Sequence, residues 1–314
     1  MSPPAAWSSD RIPDLSGRTA IVTGANSGLG FEAARALARR GARVVLACRS
    51  EERAREAIAA LRDENPDAEL EALALDLASL ASVRRFVSGF LARHQALHLL
   101  VNNAGVMALP RRLTTDGFEM QLGTNHLGHF ALTGLLLGAL LATPGARVVN
   151  LSSTMHKTGR MRWDDLHGER SYGKWTAYGQ SKLANLLFTY ELQRRLAATR
   201  AHAISVACHP GYAATNLQFA GPRMQGKALL EQGFAWANRL FSQSAEMGAL
   251  PTLYAATAPD VRGGDYFGPG GFAEMWGPPR KVRSSRRAHD AGDAARLWEI
   301  SQELTGVGYD ALKR

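Results

Sequence analysis

The sequence sets Tyr178 four residues before Lys182 within TAYGQSKLAN, residues 176–185. No proline interrupts the stretch, and apolar residues follow at helical intervals: Leu183, Leu186, Leu187, Tyr190, Leu192 and Leu196. The pattern predicts a helix over 177–198, on which residues four apart share a face. A cation beside a tyrosine favours the phenolate and lowers a pKa that is ordinarily about 10. Such a phenol can exchange protons near neutrality, as a general acid or base must. Alone, the pair also suits an ordinary surface helix, so the elements around it must decide.

Those elements alternate. Short apolar, mostly β-branched runs lie at 19–23, 43–48, 70–75, 97–102, 147–152 and 203–208, with a weaker one at 265–268. Between them run helical patterns near 29–40, 50–64, 79–93, 124–142 and 245–257, besides the one bearing Tyr178. The alternation predicts an α/β fold of the Rossmann type: a doubly wound parallel sheet of about seven strands with helices on both faces. Strands apolar at nearly every position fit burial on both sides. No repeat or flexible linker divides the chain, so residues 17–314 read as one domain. Residues 1–16 read as a loose arm, and 212–242 breaks the rhythm as a substrate lid would. A last helix is expected near 293–304.

Bulk properties narrow the function classes. With 314 residues, 46% hydrophobic and 21% charged, the composition is that of a soluble globular protein. Two cysteines, Cys48 and Cys208, build no disulfide framework and read as buried thiols in a reducing cytoplasm. The N-terminus lacks a basic region followed by an apolar core, so no signal peptide is expected. The apolar run at 130–142 is too short to span a bilayer. A formal charge of +9 rests mainly on arginine, with one cluster at 280–287. Neither aromatic platforms nor a recognisable module accompanies that charge, so nucleic acid is not an expected partner.

The first strand runs into TGANSGLG, residues 23–30, and then into a helix. Glycines at 24, 28 and 30 allow a tight turn and close approach of backbone to a pyrophosphate, which the helix N-terminus attracts. Asp76 follows the third strand, at the edge where nucleotides bind in such sheets, although it could instead cap the next helix. NNAG, 102–105, ends the fourth strand with small residues suited to packing against a ribose. Ser152 and Ser153 end the fifth, where a hydroxyl could bond a carbonyl. The second strand ends in Arg49 rather than the carboxylate that commonly binds a ribose 2′-hydroxyl. A guanidinium there suits a 2′-phosphate; the alternative is a solvated arginine flanking a helix. Glu51 and Glu52 fit the first turn of that helix.

In this order and spacing, TGANSGLG, NNAG, the serine pair and YxxxK resemble the short-chain dehydrogenases/reductases over residues 17–270. ACR (47–49), TNHLGHFAL, YGQSKLANLLFTYEL and HPGYAATNL are similar to the branch that holds the retinol dehydrogenases, the WW-domain oxidoreductase and protochlorophyllide reductase. The resemblance implies that Tyr178 is the proton donor, Lys182 lowers its pKa and holds the nicotinamide ribose, Ser153 polarises the carbonyl, and Asn125 positions a water. It implies a phosphate turn of Gly24, Ser27, Gly28, Leu29 and Gly30, an adenine contact at Asp76 and Leu77, and a ribose-side contact at Asn103, Ala104 and Gly105. Pro210, Gly211 and Thr215 match the segment beside the nicotinamide carboxamide.

The expectation is therefore an NADP(H)-dependent oxidoreductase acting between an alcohol and a carbonyl, with no metal. A non-catalytic nucleotide sensor or scaffold on the same fold is the alternative. Two features depart from common members: Ser153 and Tyr178 stand 25 positions apart rather than about a dozen, and no hydrophobic anchor opens the chain. The extra residues are expected to loop out near the site. Tyr212, Leu217, Phe219, Met224, Leu229, Leu230, Phe234 and Trp236 suggest an apolar pocket, hence a lipophilic substrate. Apolar residues on more than one face of 124–142 and of the Tyr178 helix suggest a homodimer or homotetramer.

Overall fold

The computed structural model describes residues 6–212 and 243–313. Strands β1 (Thr19–Thr23), β2 (Arg43–Cys48), β3 (Leu70–Ala74), β4 (Leu99–Asn102), β5 (Arg147–Leu151), β6 (Ile204–Cys208), β7 (Tyr266–Pro269) and β8 (Pro279–Lys281) form one sheet. Their order is β3-β2-β1-β4-β5-β6-β7-β8, all parallel except β8. The order reverses between β1 and β4, which is the crevice where α/β sheets bind ligands. The eighth strand goes beyond the expected seven. It is three residues, PRK, exposed at two of them, and carries no apolar run to betray it.

Helices cover both faces. On one, α1 (Gly28–Arg39), α2 (Glu51–Glu64) and a later helix, Ala245–Thr257, pack Leu37, Leu61 and Leu253 on the sheet. On the other, α3 (Leu80–Leu91), α5 (Gly128–Leu135) and α7 (Lys174–Ala198) bring Phe90, Phe130 and Phe188. The expected helix over 124–142 is in fact segmented. A short α4 (Met120–Leu122) enters a π-helical turn, Gly123–Leu127, before α5, and α6 (Leu137–Ala142) follows a break at Leu136. With α8 naming Ala245–Thr257, the last helix is α9 (Ala291–Thr305).

Packing bears on two expectations. Within the arm, Ile12 and Leu15 are buried in the core and Trp7 sets its ring edge-on to Tyr254 at 5.1 Å. Apolar side chains at those positions gain more from burial than a loose arm would allow. The surplus of apolar residues on α5 and α7, which suggested a second subunit, is covered by the chain's own C-terminus. Trp298 of α9 lies 5.3 Å from Phe130 and 5.9 Å from Phe188, and Tyr309 closes over both. That surplus therefore gives no reason for a partner subunit.

Both cysteines are free and buried. Among the described residues no helix is long and apolar enough to cross a membrane. The expected lid, apart from Tyr212 at its start, lies outside the described residues, and so does Thr215.

Candidate active site

The C-terminal edge of the sheet gathers the candidates. Tyr178 and Lys182 lie on α7, both buried, with Lys182 Nζ 5.7 Å from the centre of the phenol ring. Ser153 follows β5, and its hydroxyl hydrogen-bonds the phenol. The serine pair divides its labour: Ser152 Oγ donates to the Lys182 carbonyl at 2.9 Å, a structural bond within the buried interior. Ser153 Oγ accepts from Met155 N–H at 3.2 Å and stands beside the phenol, part-exposed at the strand end.

The charge balance of the pair differs from the expected one. Burial pushes the Tyr178 pKa up to about 12, with Ser153 opposing, and pushes Lys182 down to about 8. Lys182 Nζ donates to the Leu151 carbonyl at 3.0 Å. Desolvation, which disfavours whichever form is charged, prevails for both.

Asn125 sits in the π-turn, where a wider helical turn re-aims side chains and is frequent at functional sites. Its amide is fully used: Nδ2 donates to the Val106 carbonyl and Ser181 Oγ, both at 2.9 Å, and Oδ1 accepts from Val106 N–H at 2.7 Å. The side chain thus locks the NNAG strand end to α7. Gly105 is part of that close fit: a Cβ there would lie 3.1 Å from Asn125 Oδ1.

The glycine turn after β1 has the backbone geometry that would let a phosphate approach closely. Gly24 and Gly28 have φ of 68° and 56°, conformations that favour glycine. A Cβ on Gly30 would meet the Gly24 carbonyl at 2.5 Å and Asn103 Nδ2 at 2.6 Å. No side chain caps α1 at Ser27, and no acid stands in its first turn, so its N–H groups remain for an anion. Leu29 lies in that first turn. Arg49, directly after β2, is exposed and pairs with no carboxylate among the described residues. Glu51 instead pairs with Arg55 at 2.9 Å.

Asp76 is not the cap of α3; Ser79 is, accepting from Ser82 N–H. The Asp76 carboxylate accepts from Ala78 N–H at 3.0 Å and stays part-exposed at the strand edge. Leu77 is buried against Gly128, whose Cβ would strike the Leu77 carbonyl at 2.4 Å. Ala104 N–H donates to Thr23 Oγ1. Pro210 and Gly211 follow β6, Gly211 with φ 67°. The structure thus brings the candidate residues to one edge, except Thr215, which is outside the described residues.

Sequence reasoning missed a joint between the two halves of the site. His129 lies one turn after Asn125 and bonds its carbonyl through Nδ1 at 3.0 Å, while Nε2 meets Thr23 Oγ1 at 2.9 Å. A carbonyl only accepts, so Nδ1 carries the proton and the Thr23 hydroxyl donates to Nε2. Thr23 Oγ1 in turn accepts from Asn103 and Ala104 N–H. The spacing of Asn125 and His129 in TNHLGHF was the available signal.

The insertion before Tyr178 does not loop out. Tyr172 Oη donates to the Leu109 carbonyl, Gln121 Nε2 donates to Tyr172 Oη, and Trp163 Nε1 donates to Asp293 of α9. Arg296 stacks over Trp163 at 4.7 Å. The aromatic rings within the insertion explain why it packs.

Buried histidines make stability depend on pH. Burial lowers His126 to about 3, and His129 and His156 to about 4. Above pH 6.5 these rings are neutral in both states. As pH falls below that value the unfolded chain binds protons that the folded chain refuses, so stability is lost. The loss is at most about 1.4 kcal/mol per pH unit for each ring. Melting temperature should therefore fall steadily from neutral pH toward about 5; a flat curve over that window would contradict the burial of neutral rings.

The comparisons agree with this geometry. A family model described as short chain dehydrogenase matches residues 18–224. Retinol dehydrogenase 12 of Mus musculus is 42% identical over 301 residues, spanning 94% of this chain and 89% of that protein. Polyprenol dehydrogenase of Mus musculus is 43% identical over 305 residues, spanning 95% and 86%. A crystal structure of an uncharacterised protein from Mycobacterium paratuberculosis matches with TM-score 0.80 at 43% identity, covering 97% of this chain and 99% of that one. Another, described as an NAD(P)-dependent gluconate 5-dehydrogenase from Beutenbergia cavernae with bound NADP, matches at TM-score 0.57 and 26% identity over 78% and 91%. By its family match, its relatives and its fold, the chain belongs to the short-chain dehydrogenases, oxidoreductases that use NAD(P)(H).

Proposed function

We propose that the protein is an NADP(H)-dependent oxidoreductase interconverting a lipophilic alcohol and its carbonyl. The observation that carries this reading is the buried Tyr178 phenol, bonded to Ser153 and flanked by the Lys182 ammonium, next to an uncapped glycine cradle. Bound NADP(H) would supply or accept the hydride, and the protein's part is to align and to move a proton. A carbonyl oxygen seated between Ser153 and Tyr178 would accept from both hydroxyls. With its pKa near 12, Tyr178 keeps its proton at neutral pH and is ready to give it to a developing alkoxide. Lys182, charged below about pH 8, favours the phenolate left behind. Asn125 keeps the strand end and α7 in register while this happens.

Substrate class rests on the relatives. Retinol and polyprenol, which name two of them, are both long isoprenoid primary alcohols. A panel of aldehydes of increasing chain length and matched polarity tests the reading: cofactor oxidation should rise in efficiency with apolar length. Preference for short, water-soluble aldehydes would overturn the lipophilic assignment.

Cofactor choice rests on Arg49. Its guanidinium at the end of β2, unpaired among the described residues, suits a 2′-phosphate through charge-assisted bonds, which contribute roughly 1.5–3 kcal/mol each. NADPH should therefore be favoured over NADH by about tenfold or more. Arg49→Ala should erase most of that margin by weakening NADPH while barely changing NADH. Equal wild-type efficiency with NADH, or an alanine variant that still prefers NADPH to the same degree, would contradict the assignment.

A further inference from the structure

The connection between β7 and β8 folds back over the segment that follows β6. Tyr212 N–H donates to the Met275 carbonyl at 3.0 Å, and a Cβ on Gly211 would meet that same carbonyl at 2.5 Å. Within this connection Ala273 and Glu274 stand consecutively at φ 49° and 59°. Two adjacent non-glycine residues in the left-handed region are held there only where surrounding contacts demand it.

The contacts are those of the Glu274 carboxylate. One of its oxygens lies 3.1 Å from Nε2 of His209, a fully buried ring, though off the axis of a linear hydrogen bond. Both oxygens lie 3.3 Å from Lys157 Nζ. Gly211 N–H donates to His209 Nδ1 at 3.2 Å, which leaves the ring proton on Nε2, facing the carboxylate. Lys157 ends the short turn Thr154–Lys157 whose N-cap is Ser153. A single carboxylate thus touches the ring that braces Pro210–Gly211 and the turn that begins at Ser153. These contacts pull its oxygens toward acid strength, with a pKa lowered to about 2, so it stays charged across the working range.

We infer that Glu274 is a positioning residue that ties the Ser153 turn to the Pro210–Gly211 segment, holding the nicotinamide end of the cofactor in register with the carbonyl-polarising hydroxyl. This rests on the dinucleotide-dependent reading above. No proton or hydride passes through Glu274; its effect on rate is through alignment, where a displacement of about 1 Å can cost roughly a hundredfold.

Three full-length variants test it: Glu274→Ala, the isosteric Glu274→Gln, and Lys157→Met, whose side chain is half exposed and whose loss should leave the fold intact. Turnover should fall by roughly ten- to a hundredfold in Glu274→Ala and less in the other two. The isotope effect with NADPH deuterated at C4 should rise toward its intrinsic value, because misalignment slows hydride transfer itself. A merely structural loss lowers melting temperature and active fraction without moving that effect. A second readout needs no turnover: the ratio of the dissociation constants of 2′-phospho-ADP-ribose and NADPH, which isolates the nicotinamide half. It should shrink several-fold in Glu274→Ala and Glu274→Gln. Failure of the oxidoreductase reading would show as an inactive wild type, yet this ratio would still decide the positioning role. An unchanged ratio in both Glu274 variants overturns the inference, as does an unchanged isotope effect where the wild type turns over.

Discussion

Tyr178→Phe should lower turnover by about a hundred- to ten-thousandfold, the usual consequence of losing a positioned acid. The phenylalanine keeps the buried ring and its edge-on contact with Trp175 at 6.4 Å, so the fold and the cradle at Gly24–Gly30 remain. Only the transferable proton and the bond with Ser153 go. Cofactor affinity should therefore change little, which separates lost chemistry from lost binding. Measured where hydride transfer limits the rate, a variant that keeps more than about a tenth of wild-type turnover would remove Tyr178 from the proposed role.

The second large effect concerns stability. Trp298→Ala should destabilise the folded chain by about 3–5 kcal/mol, as expected for emptying a large aromatic site in a core. Trp298 is buried at the junction of Phe130, Phe188 and Tyr309, with the Arg195 guanidinium 4.4 Å from its ring centre. Its Nε1 has no hydrogen-bond partner among the described residues, so packing rather than a polar bond holds it. Trp298→Phe should consequently recover most of the loss. Urea midpoints read both; an alanine variant within about 1 kcal/mol of wild type would show that α9 is an ornament on α7 rather than its cover.

That cover also shows what the sequence could and could not reveal. The central strands were legible because they are short apolar runs buried on both faces, and β1, β2 and α8 lie where periodicity puts them; β8 has no such run. Periodicity counts apolar faces but not their occupants. It registered the surplus on α7 correctly, yet could not tell a second subunit from Trp298 arriving about a hundred residues later. The π-turn escaped for a different reason: an extra residue in one helical turn leaves the apolar pattern of TNHLGHF nearly unchanged.

The site divides in the same way. Residues in short motifs, such as Gly24–Gly30 and the Tyr178–Lys182 pair, could be placed because local spacing fixes their geometry. His209 and Glu274 are far apart in sequence, and only the fold-back between β7 and β8 joins them. The sign of the Tyr178 shift was also beyond spacing. It depends on how deeply the phenol is buried, with Ser153, which follows a different element, opposing the rise.

The central claim is that this site moves a hydride between nicotinamide and a carbonyl carbon. The direct measurement incubates the wild-type protein with NADPH, deuterated at C4 on either face in separate reactions, and a long-chain aldehyde. Mass spectrometry then follows the alcohol formed. The account predicts deuterium at the carbinol carbon from one face only, with the product lost in Tyr178→Phe. No alcohol from a protein that demonstrably binds NADPH, or alcohol free of deuterium from both faces, would contradict it.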